Sequence, residues 1–378
     1  MFPPWGAELT KVDSILFLTH HFPPEIGGIQ TRIANYMKTL RAMGVEVNVL
    51  YFTINEKPVD KIDRFGCRII TRSGSVGHFL QNFGTIARVT ISQRVDVIHV
   101  FSGAATLVSL VAITLGRILG IPSVVSFFGR EEFDLQKPTQ RIGFPLALAL
   151  STAILVNTRY TSTLLPRRYQ GKTRVILGGA EVARQTYSSQ SGRTLLFVGR
   201  LVKSKGIDDL ISAFKTVLLG VPDAKLVVVG DGPERQALEQ MVDLSGIGRS
   251  VRFTGTLRGE RLEAEYEKCA MVVLPSKSVP GEVVTETFGF SLVEGAMHGK
   301  PLIGTNHGGI PEIITNNYNG LLVPEANQTK LASAIKTLLL DEESAKRLGQ
   351  NSLRIAMEKF TWEVATKRLL DAYRRRVS

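Results

Sequence analysis

Cysteine is almost absent from this chain. Its 378 residues include two, Cys67 and Cys269, which lie far apart. Neither has a second Cys or a His at metal-ligand spacing, so the sequence supports neither a disulfide framework nor a zinc site. We therefore expect no metal, no cofactor and a reducing, cytoplasmic setting.

Long hydrophobic runs are also missing. The apolar stretches 106–119 and 142–156 are shorter than the roughly 18 uninterrupted residues of a membrane span, and the first contains Arg117. Each predicts a buried helix or strand. Residues 1–11 contain Glu8 and no basic stretch, and the apolar run after them is too short for a secretion signal, so we do not expect secretion.

Acidic residues are in deficit. The net charge is +12, and most of the excess lies in residues 1–190. The positive electrostatic potential of such a charge distribution attracts anionic lipid head groups, a phosphorylated acceptor or nucleic acid. A basic surface that is simply exposed to solvent would have the same composition. No recognised nucleic-acid motif is present, so nucleic acid is not an expected partner, whereas an anionic membrane surface is a candidate.

The chain has the length and apolar content of two domains, with 44% hydrophobic residues. Short aliphatic runs alternate with helical stretches, as in parallel βαβ units, and the pattern restarts after a polar segment, 187–193. We predict an α/β fold of two Rossmann-like doubly wound parallel-sheet domains facing a cleft, residues 1–185 and 186–358, with a helix over 359–378. The predicted strands are 14–19, 46–53, 96–101, 123–127, 153–156, 194–198, 225–229, 251–254, 271–274 and 301–304.

The strongest local signal is a pair of carboxylates, Glu286 and Glu294, on either side of a turn that opens a helix near Gly289. The first N–H groups of such a helix, at Gly289 to Ser291, point toward a nearby diphosphate, and glycine permits close approach. Glu286, before the turn, then faces the transferred group. Glu294, inside the helix, can accept hydrogen bonds from ribose hydroxyls.

A second signal is the loop after the strand at 194–198. The strand ends at Gly199, and the loop supplies Arg200, Lys203 and Lys205 before the next helix. Cleavage of a nucleotide-sugar leaves negative charge on the diphosphate, which a guanidinium and an ammonium can stabilise without a divalent cation. We predict Arg200 and Lys205 as catalytic residues together with Glu286, and Lys203 as solvent-facing.

Further glycine-rich turns and an aromatic pair complete the predicted donor site. Glycine allows tight turns and close backbone approach, although a Gly-Gly pair alone is a weak signal. Base contacts are expected from the backbone around Leu257, and the two phenylalanines can flank a sugar or base. The predicted donor-binding residues are Gly27, Gly28, Gly199, Arg200, Lys205, Gly230, Leu257, Phe288, Gly289, Phe290, Ser291 and Glu294.

Taken in order, these segments resemble the retaining glycosyltransferases of the GT-B fold, family four, over nearly the whole chain. The likeness rests on the early Pro-Pro-Glu-x-Gly-Gly loop, Gly-Arg-x-x-x-x-Lys-Gly, Gly-Asp-Gly-Pro, the spaced glutamates and Gly-Gly-x-Pro-Glu. The resemblance implies that Arg200 and Lys205 bind the donor diphosphate, Glu286 contacts the sugar and Glu294 holds the ribose. It also implies retention by front-face attack, domain closure around the donor and a last helix that crosses back onto the first domain.

One departure from the family pattern concerns the acceptor side. After the strand at 123–127 many relatives place a histidine before glycine, whereas this chain has Phe128. Phenylalanine can neither donate a hydrogen bond nor relay charge. Either Arg130, Glu131 or His99 substitutes for the histidine, or the site works without it.

The sequence thus predicts a metal-independent retaining hexosyltransferase. It would transfer a hexose from a UDP- or GDP-sugar to a glycan or lipid-linked acceptor, in cell-envelope polysaccharide or glycolipid synthesis, in the cytoplasm or peripherally at the inner face of the membrane. The alternative, suggested by Phe128, is a regulatory or partner subunit that binds the donor without turnover.

Overall fold

The computed structural model describes residues 11–20, 22, 28–53, 59–63, 66–73, 79–101, 107–129, 138–183, 192–281 and 286–374. The chain divides into two compact units. The first comprises Met1–Leu177 with Trp362–Ser378, and the second comprises Gly178–Thr361. The sequence predicted domain boundaries at 185/186 and 358/359. In the structure the two units divide at 177/178 and 361/362.

The first unit is built on an eight-stranded sheet. Its strands are β1 (Ser14–Thr19), β2 (Glu46–Thr53), β3 (Val59–Ile62), β4 (Arg68–Ser73), β5 (Val97–Phe101), β6 (Ser123–Phe127), β7 (Ala153–Val156) and β8 (Thr173–Val175). They are ordered β3-β4-β2-β1-β5-β6-β7-β8. All neighbours pair in parallel except β3 and β4. Strands β1, β5, β6 and β7 are buried along their whole length, as expected of a sheet covered on both faces.

The helices that follow these strands are α1 (Gly28–Ala42), α2 (Phe79–Ser92), α3 (Leu107–Leu119), α4 (Pro138–Leu150) and α5 (Arg159–Thr163). Helix α1 connects β1 to β2, which lies toward the β3 edge of the sheet. Helices α2, α3 and α4 lead to β5, β6 and β7, each of which lies nearer the β8 edge than the strand before it. Because parallel crossovers are right-handed, α1 lies on one face and α2, α3 and α4 lie side by side on the other. Helix α3 contacts both α2 and α4.

The second unit is a six-stranded, wholly parallel sheet. Its strands are β9 (Thr194–Val198), β10 (Lys225–Val229), β11 (Val251–Gly255), β12 (Met271–Leu274), β13 (Leu302–Thr305) and β14 (Gly320–Val323), and its helices are α6 (Ile207–Leu218), α7 (Arg235–Leu244), α8 (Glu260–Lys268), α9 (Phe290–Met297), α10 (Gln328–Leu340) and α11 (Glu342–Lys359). The strand order, β11-β10-β9-β12-β13-β14, reverses between β9 and β12. Doubly wound sheets bind ligands at the carboxyl ends of the strands beside this reversal.

The last helix, α12 (Trp362–Arg374), belongs to the first unit and packs against α1. Trp362 lies edge-on to Tyr36 of α1, with ring centroids 5.7 Å apart. Tyr373 reaches the buried ring of His99 on β5. The C-terminal helix is thereby fixed to both the sheet and the covering helix of this unit.

The two doubly wound parallel sheets confirm the predicted fold class, and every predicted strand is present. Helices α10 and α11 are divided at Asp341, whose carboxylate accepts a hydrogen bond from the Ser344 N–H at 3.0 Å and caps α11. The apolar run 142–156 contains the end of α4 followed by β7, the strand predicted at 153–156. Among the residues that the structure describes, no helix is long and apolar enough to span a membrane.

Candidate functional site

The loops at the carboxyl ends of the second sheet are held together by close backbone contacts. Gly206, with φ of 67°, lies so near the loop after β12 that a Cβ there would overlap the carbonyl oxygen of Pro275. A Cβ on Gly230, with φ of 134°, would overlap the carbonyl oxygen of Gly199. Glycine is required at both positions by space and by φ, so the loops after β9, β10 and β12 meet at the strand reversal.

Lys205 and Glu286 form an ion pair at this point. Lys205 ends the short 3₁₀ turn Lys203–Lys205, and its Nζ donates to Glu286 Oε2. Their side chains are 20% and 10% exposed. Burial by itself would raise the pKa of Glu286, but the Lys205 ammonium, its hydrogen bond and the Phe288 N–H outweigh that effect and lower the pKa. The pair therefore presents an ionised carboxylate beside a cation.

Glu286 is also fixed through its backbone. Its carbonyl oxygen accepts a hydrogen bond from the Gly309 N–H at 3.0 Å. Gly308, with φ of 56°, lies so close that a Cβ there would overlap the same carbonyl oxygen. The predicted Gly-Gly-x-Pro-Glu turn after β13 therefore positions Glu286.

Glu294 lies one turn inside α9, as predicted. The helix begins after Gly289, which has φ of 98° and acts as its N-cap residue. Tyr266 Oη donates to Glu294 Oε2 at 2.6 Å. Burial raises the pKa of Glu294 to about 7; the hydrogen bond from Tyr266 opposes the rise, and the nearby charge of Glu263 adds to it. A carboxylate has about four acceptor positions, so Tyr266 leaves room for a second donor.

The support around Glu294 was missed by sequence reasoning. The His298 ring stacks on Tyr266, with centroids 5.1 Å apart and planes at 17°. His298 Nε2 lies 2.8 Å from Glu263 Oε2, and Nδ1 lies 2.9 Å from the Glu294 carbonyl oxygen. Tyr266 and Glu263 are on α8, which carries no motif, so the sequence contains no signal that would have linked them to Glu294.

Most of the remaining residues predicted to bind the donor lie in or beside loops of the second unit. Arg200 and Lys203 are exposed, the latter as predicted, and Leu257 is half-buried between β11 and α8. Phe288 is buried and lies edge-on to Phe290, with ring centroids 4.9 Å apart. The Ser291 carbonyl oxygen lies 3.4 Å from Tyr266 Oη. Gly28 is the first residue of α1 in the first unit; Gly27 lies outside the described residues.

On the predicted acceptor side, His99 is a buried residue of the first sheet. Its Nδ1 lies 2.5 Å from Tyr373 Oη, and its Nε2 is hydrogen-bonded to Ser126 Oγ. Phe101 stacks on the ring at 3.8 Å. Burial lowers the pKa of His99 well below its ordinary value, so the ring is neutral and ties β5 to β6 and α12. Its proposed acceptor role stays a prediction.

Phe128 is buried under a guanidinium. Arg32 of α1 places its Cζ 4.3 Å from the centre of the Phe128 ring, and its Nη1 donates to the Ile176 carbonyl oxygen at 3.1 Å. Both side chains are buried. Sequence reasoning missed Arg32 because the contact depends on how α1 packs on the sheet. Arg130 and Glu131 lie outside the described residues.

A cavity of about 380 Å³ lies in the second unit beside the start of α6. Lys203, Asp208, Glu234 and Lys277 contribute to its wall together with apolar side chains. Lys277 Nζ donates to Asp208 and Asp209 at 2.6 and 2.8 Å, so its charge is balanced. The Lys205–Glu286 pair is not part of this wall.

Cys67 and Cys269 are free, buried thiols. Burial raises the pKa of each to about 12. Within the described ranges, no group of three or more His, Cys, Asp and Glu side chains is arranged to hold a metal ion.

Two doubly wound units, with paired glutamates and a basic loop at the strand reversal of the second, define a glycosyltransferase of the GT-B fold. The family model described as glycosyl transferases group 1 matches residues 181–354, and the model for glycosyltransferase family 4 matches residues 26–184. The chain belongs to this family of glycosyltransferases, which use nucleotide-sugars.

Three similar proteins illustrate the relationship. An uncharacterised glycosyltransferase of Methanocaldococcus jannaschii is 28% identical over 90% of this chain and 92% of its own. A GDP-mannose-dependent α-(1-6)-phosphatidylinositol monomannoside mannosyltransferase of Mycobacterium tuberculosis is 25% identical over 95% and 98%. The solved structure of Anabaena HepE in complex with UDP has a TM-score of 0.75 at 18% identity, covering 95% of this chain and 98% of that one; it supports the fold.

Proposed function

We propose that this protein is a metal-independent, retaining hexosyltransferase that uses a UDP- or GDP-sugar. The observation that carries the proposal is the Lys205–Glu286 pair at the strand reversal, with Glu294 one turn into the adjacent helix. A cation, an ionised carboxylate and a second acceptor match the three parts of a nucleotide-sugar. These are the diphosphate, the hexose and the ribose.

Each residue is proposed to act on one of those parts. Lys205 and Arg200 stabilise the negative charge that develops on the leaving diphosphate, assisted by the N–H groups at the start of α9. Glu286, which is ionised, accepts hydrogen bonds from hexose hydroxyls. Glu294 accepts a hydrogen bond from the ribose while Tyr266 holds its other oxygen.

The proposed acceptor is a glycan or lipid-linked hydroxyl in cell-envelope polysaccharide or glycolipid synthesis. The mycobacterial relative is named for a phosphatidylinositol monomannoside acceptor and a GDP-mannose donor. The Anabaena protein holds UDP. These names support a nucleotide-sugar donor with either base and an anionic lipid acceptor.

The test is a panel of uridine, guanosine and adenosine diphosphate sugars, scored by thermal-shift stabilisation and by released nucleotide diphosphate. One donor is expected to stabilise the protein, because a ligand that binds the folded state raises the melting temperature. Glu294→Ala should lose the shift. Lys205→Ala should lose the shift and lower the rate about a hundred-fold to a thousand-fold.

Lys203→Ala is the matched control, because Lys203 belongs to the same 3₁₀ turn as Lys205 but is exposed. It should keep both shift and rate. Addition of EDTA tests metal independence, and the anomeric configuration of the product, determined by NMR, tests retention. The absence of a shift with every sugar would contradict the donor-site assignment.

The alternative of a donor-binding but inactive subunit is motivated by Phe128 at the position where relatives carry histidine. It predicts a full thermal shift with no turnover toward any glycan or lipid-linked acceptor. Detectable product with a single acceptor class would eliminate it.

A further inference from the structure

Helices α2, α3 and α4 of the first unit have no acidic residue. Their sequences contain neither Asp nor Glu, and each helix carries one arginine: Arg88, Arg117 and Arg141. All three arginines are exposed. Surface helices of soluble proteins ordinarily mix charges of both signs, so the composition of this layer is unusual.

The same helices expose large apolar side chains. Single exposed apolar residues are common, but here they occur on three helices that lie side by side. The exposed fractions are 40% for Phe83, 56% for Ile91, 72% for Ile118, 68% for Ile142 and 45% for Leu146. We call these five residues and the three arginines the α2–α4 face.

The exposed apolar residues of α4 lie on a different side of the helix from its core residues. The core side of α4 is formed by Phe144, Ala147 and Leu148, which are buried against the sheet. Ile142 and Leu146 are four residues apart and therefore share another side of the helix. Helix α4 thus has two apolar sides, one that packs on the sheet and one that is open to solvent, whereas α2 and α3 expose Phe83, Ile91 and Ile118 beside their buried residues.

Basic residues continue beyond α4. From Pro138 to Val175 the chain has no Asp or Glu. The basic residues in this range are Arg141, Arg159, Arg167, Arg168, Lys172 and Arg174. The acids that precede α4, namely Glu131, Glu132 and Asp134, lie outside the described residues.

Lys172 links this basic segment to the ends of α3 and α4. Its Nζ donates to the carbonyl oxygens of Ala149 and Ser151 at 3.2 and 2.7 Å. Burial and the nearby Arg117 lower the pKa of Lys172 to about 8. Lys172 thereby anchors the basic segment to the C-terminal end of α4.

We propose that the α2–α4 face binds a membrane surface containing anionic phospholipid. The five apolar side chains enter the boundary between head groups and acyl chains, while the arginines pair with lipid phosphates. The inference goes beyond the proposed transfer reaction, because the donor-site residues of the second unit take no part in it.

Two other occupants fit the face less well. A second copy of the chain, docked through the same face, would place arginines opposite arginines without a carboxylate from these helices. Nucleic acid would be bound by the arginines, but it would leave the aliphatic side chains in water. A lipid surface satisfies both kinds of side chain.

The test is co-sedimentation of the full chain with phosphatidylcholine vesicles, with and without phosphatidylglycerol. The wild type is expected to sediment with the anionic vesicles. The double variant Ile118→Glu/Ile142→Glu should bind them at least about tenfold more weakly, because it replaces apolar contacts with like charge. Replacing Arg88, Arg117 and Arg141 with Gln should abolish the preference for phosphatidylglycerol.

The control is Leu219→Glu/Leu244→Glu in the second unit, where Leu219 is 83% exposed and Leu244 is 90% exposed. It should bind like the wild type. The donor-induced shift should be unchanged in every variant, so failure of this proposal is distinguishable from failure of the proposed function. Wild type that stays in the supernatant with both vesicles would overturn the proposal. So would equal binding by the Ile118→Glu/Ile142→Glu variant, or a dimer in sedimentation velocity that this variant dissociates.

Discussion

Two carboxylates near each other in sequence are given opposite properties by their surroundings. Glu286 is buried, yet the adjacent Lys205 lowers its pKa. Glu294 has no cation among the groups that shift its pKa, and burial raises it to about 7. One group is therefore ionised over the whole physiological range, while the other gains or loses its proton within it.

Donor affinity should consequently depend on the protonation of Glu294. An ionised carboxylate is the better acceptor for ribose hydroxyls, so affinity should rise between about pH 6 and pH 8, around the pKa of about 7.

The contribution of Glu294 to folding stability has the opposite sign. Because the pKa is raised from 4.5, the native state binds the proton more tightly, and stability falls as pH rises from about 4.5 to about 7. Titration calorimetry and thermal melts across this range measure both effects.

Two variants identify the responsible group. Glu294→Gln should flatten both profiles, since the amide does not titrate. Tyr266→Phe removes the hydrogen bond that opposes the rise in pKa, so the midpoint of the affinity profile should move to higher pH. An unchanged midpoint in Tyr266→Phe would assign the pH dependence to another group.

At the scale of elements, the loop–helix junction at Gly206 determines where Lys205 is placed. Gly206 and Gly246 have nearly the same φ, 67° and 69°, but Gly246 has open space where a Cβ would stand. Gly246→Ala should therefore cost only about 1 kcal/mol of backbone strain. Gly206→Ala should cost about 1–3 kcal/mol more, because the loops after β9 and β12 must separate.

Chemical denaturation of the two variants measures that difference directly. Gly206→Ala should also weaken the donor-induced thermal shift, since Lys205 moves with the loop, whereas Gly246→Ala should keep it. Equal stability of the two variants would show that the Pro275 carbonyl yields without cost.

The position of each strand in its sheet explains which strands could be predicted from the sequence. The central strands appear as apolar runs because both faces of a parallel sheet are buried. Strands β3, β4 and β8 were missed because they lie toward the sheet edges and contain charged residues, and β14 because it is a short edge strand. The glycine-rich and charged loops at the strand reversal could be located from the sequence because glycine and charge are local signals. The contacts of Tyr266 with Glu294 and of Arg32 with Phe128 could not be predicted from the sequence, because they depend on packing between separate elements.

At the scale of the whole molecule, two surfaces are assigned to different units. The loops of the proposed donor site belong to the second unit, and the α2–α4 face belongs to the first. The unequal distribution of the +12 net charge follows this division, since the acid-free helices are in the first unit. Binding of a soluble donor and binding of a lipid surface should therefore be separable in the intact chain.

Hydrogen exchange on the full chain can observe that separation. Donor alone should slow exchange in residues 199–206, 286–298 and 306–312, because the ligand orders loops whose amides lie at the strand reversal. Anionic vesicles alone should slow exchange in α2, α3 and α4. With Glu294→Ala the donor-dependent protection should disappear while the vesicle-dependent protection remains, and with Ile118→Glu/Ile142→Glu the reverse should hold. Donor-dependent protection of α2–α4 in the absence of vesicles would instead show that the two surfaces are coupled, because a ligand in the second unit would then stabilise helices of the first.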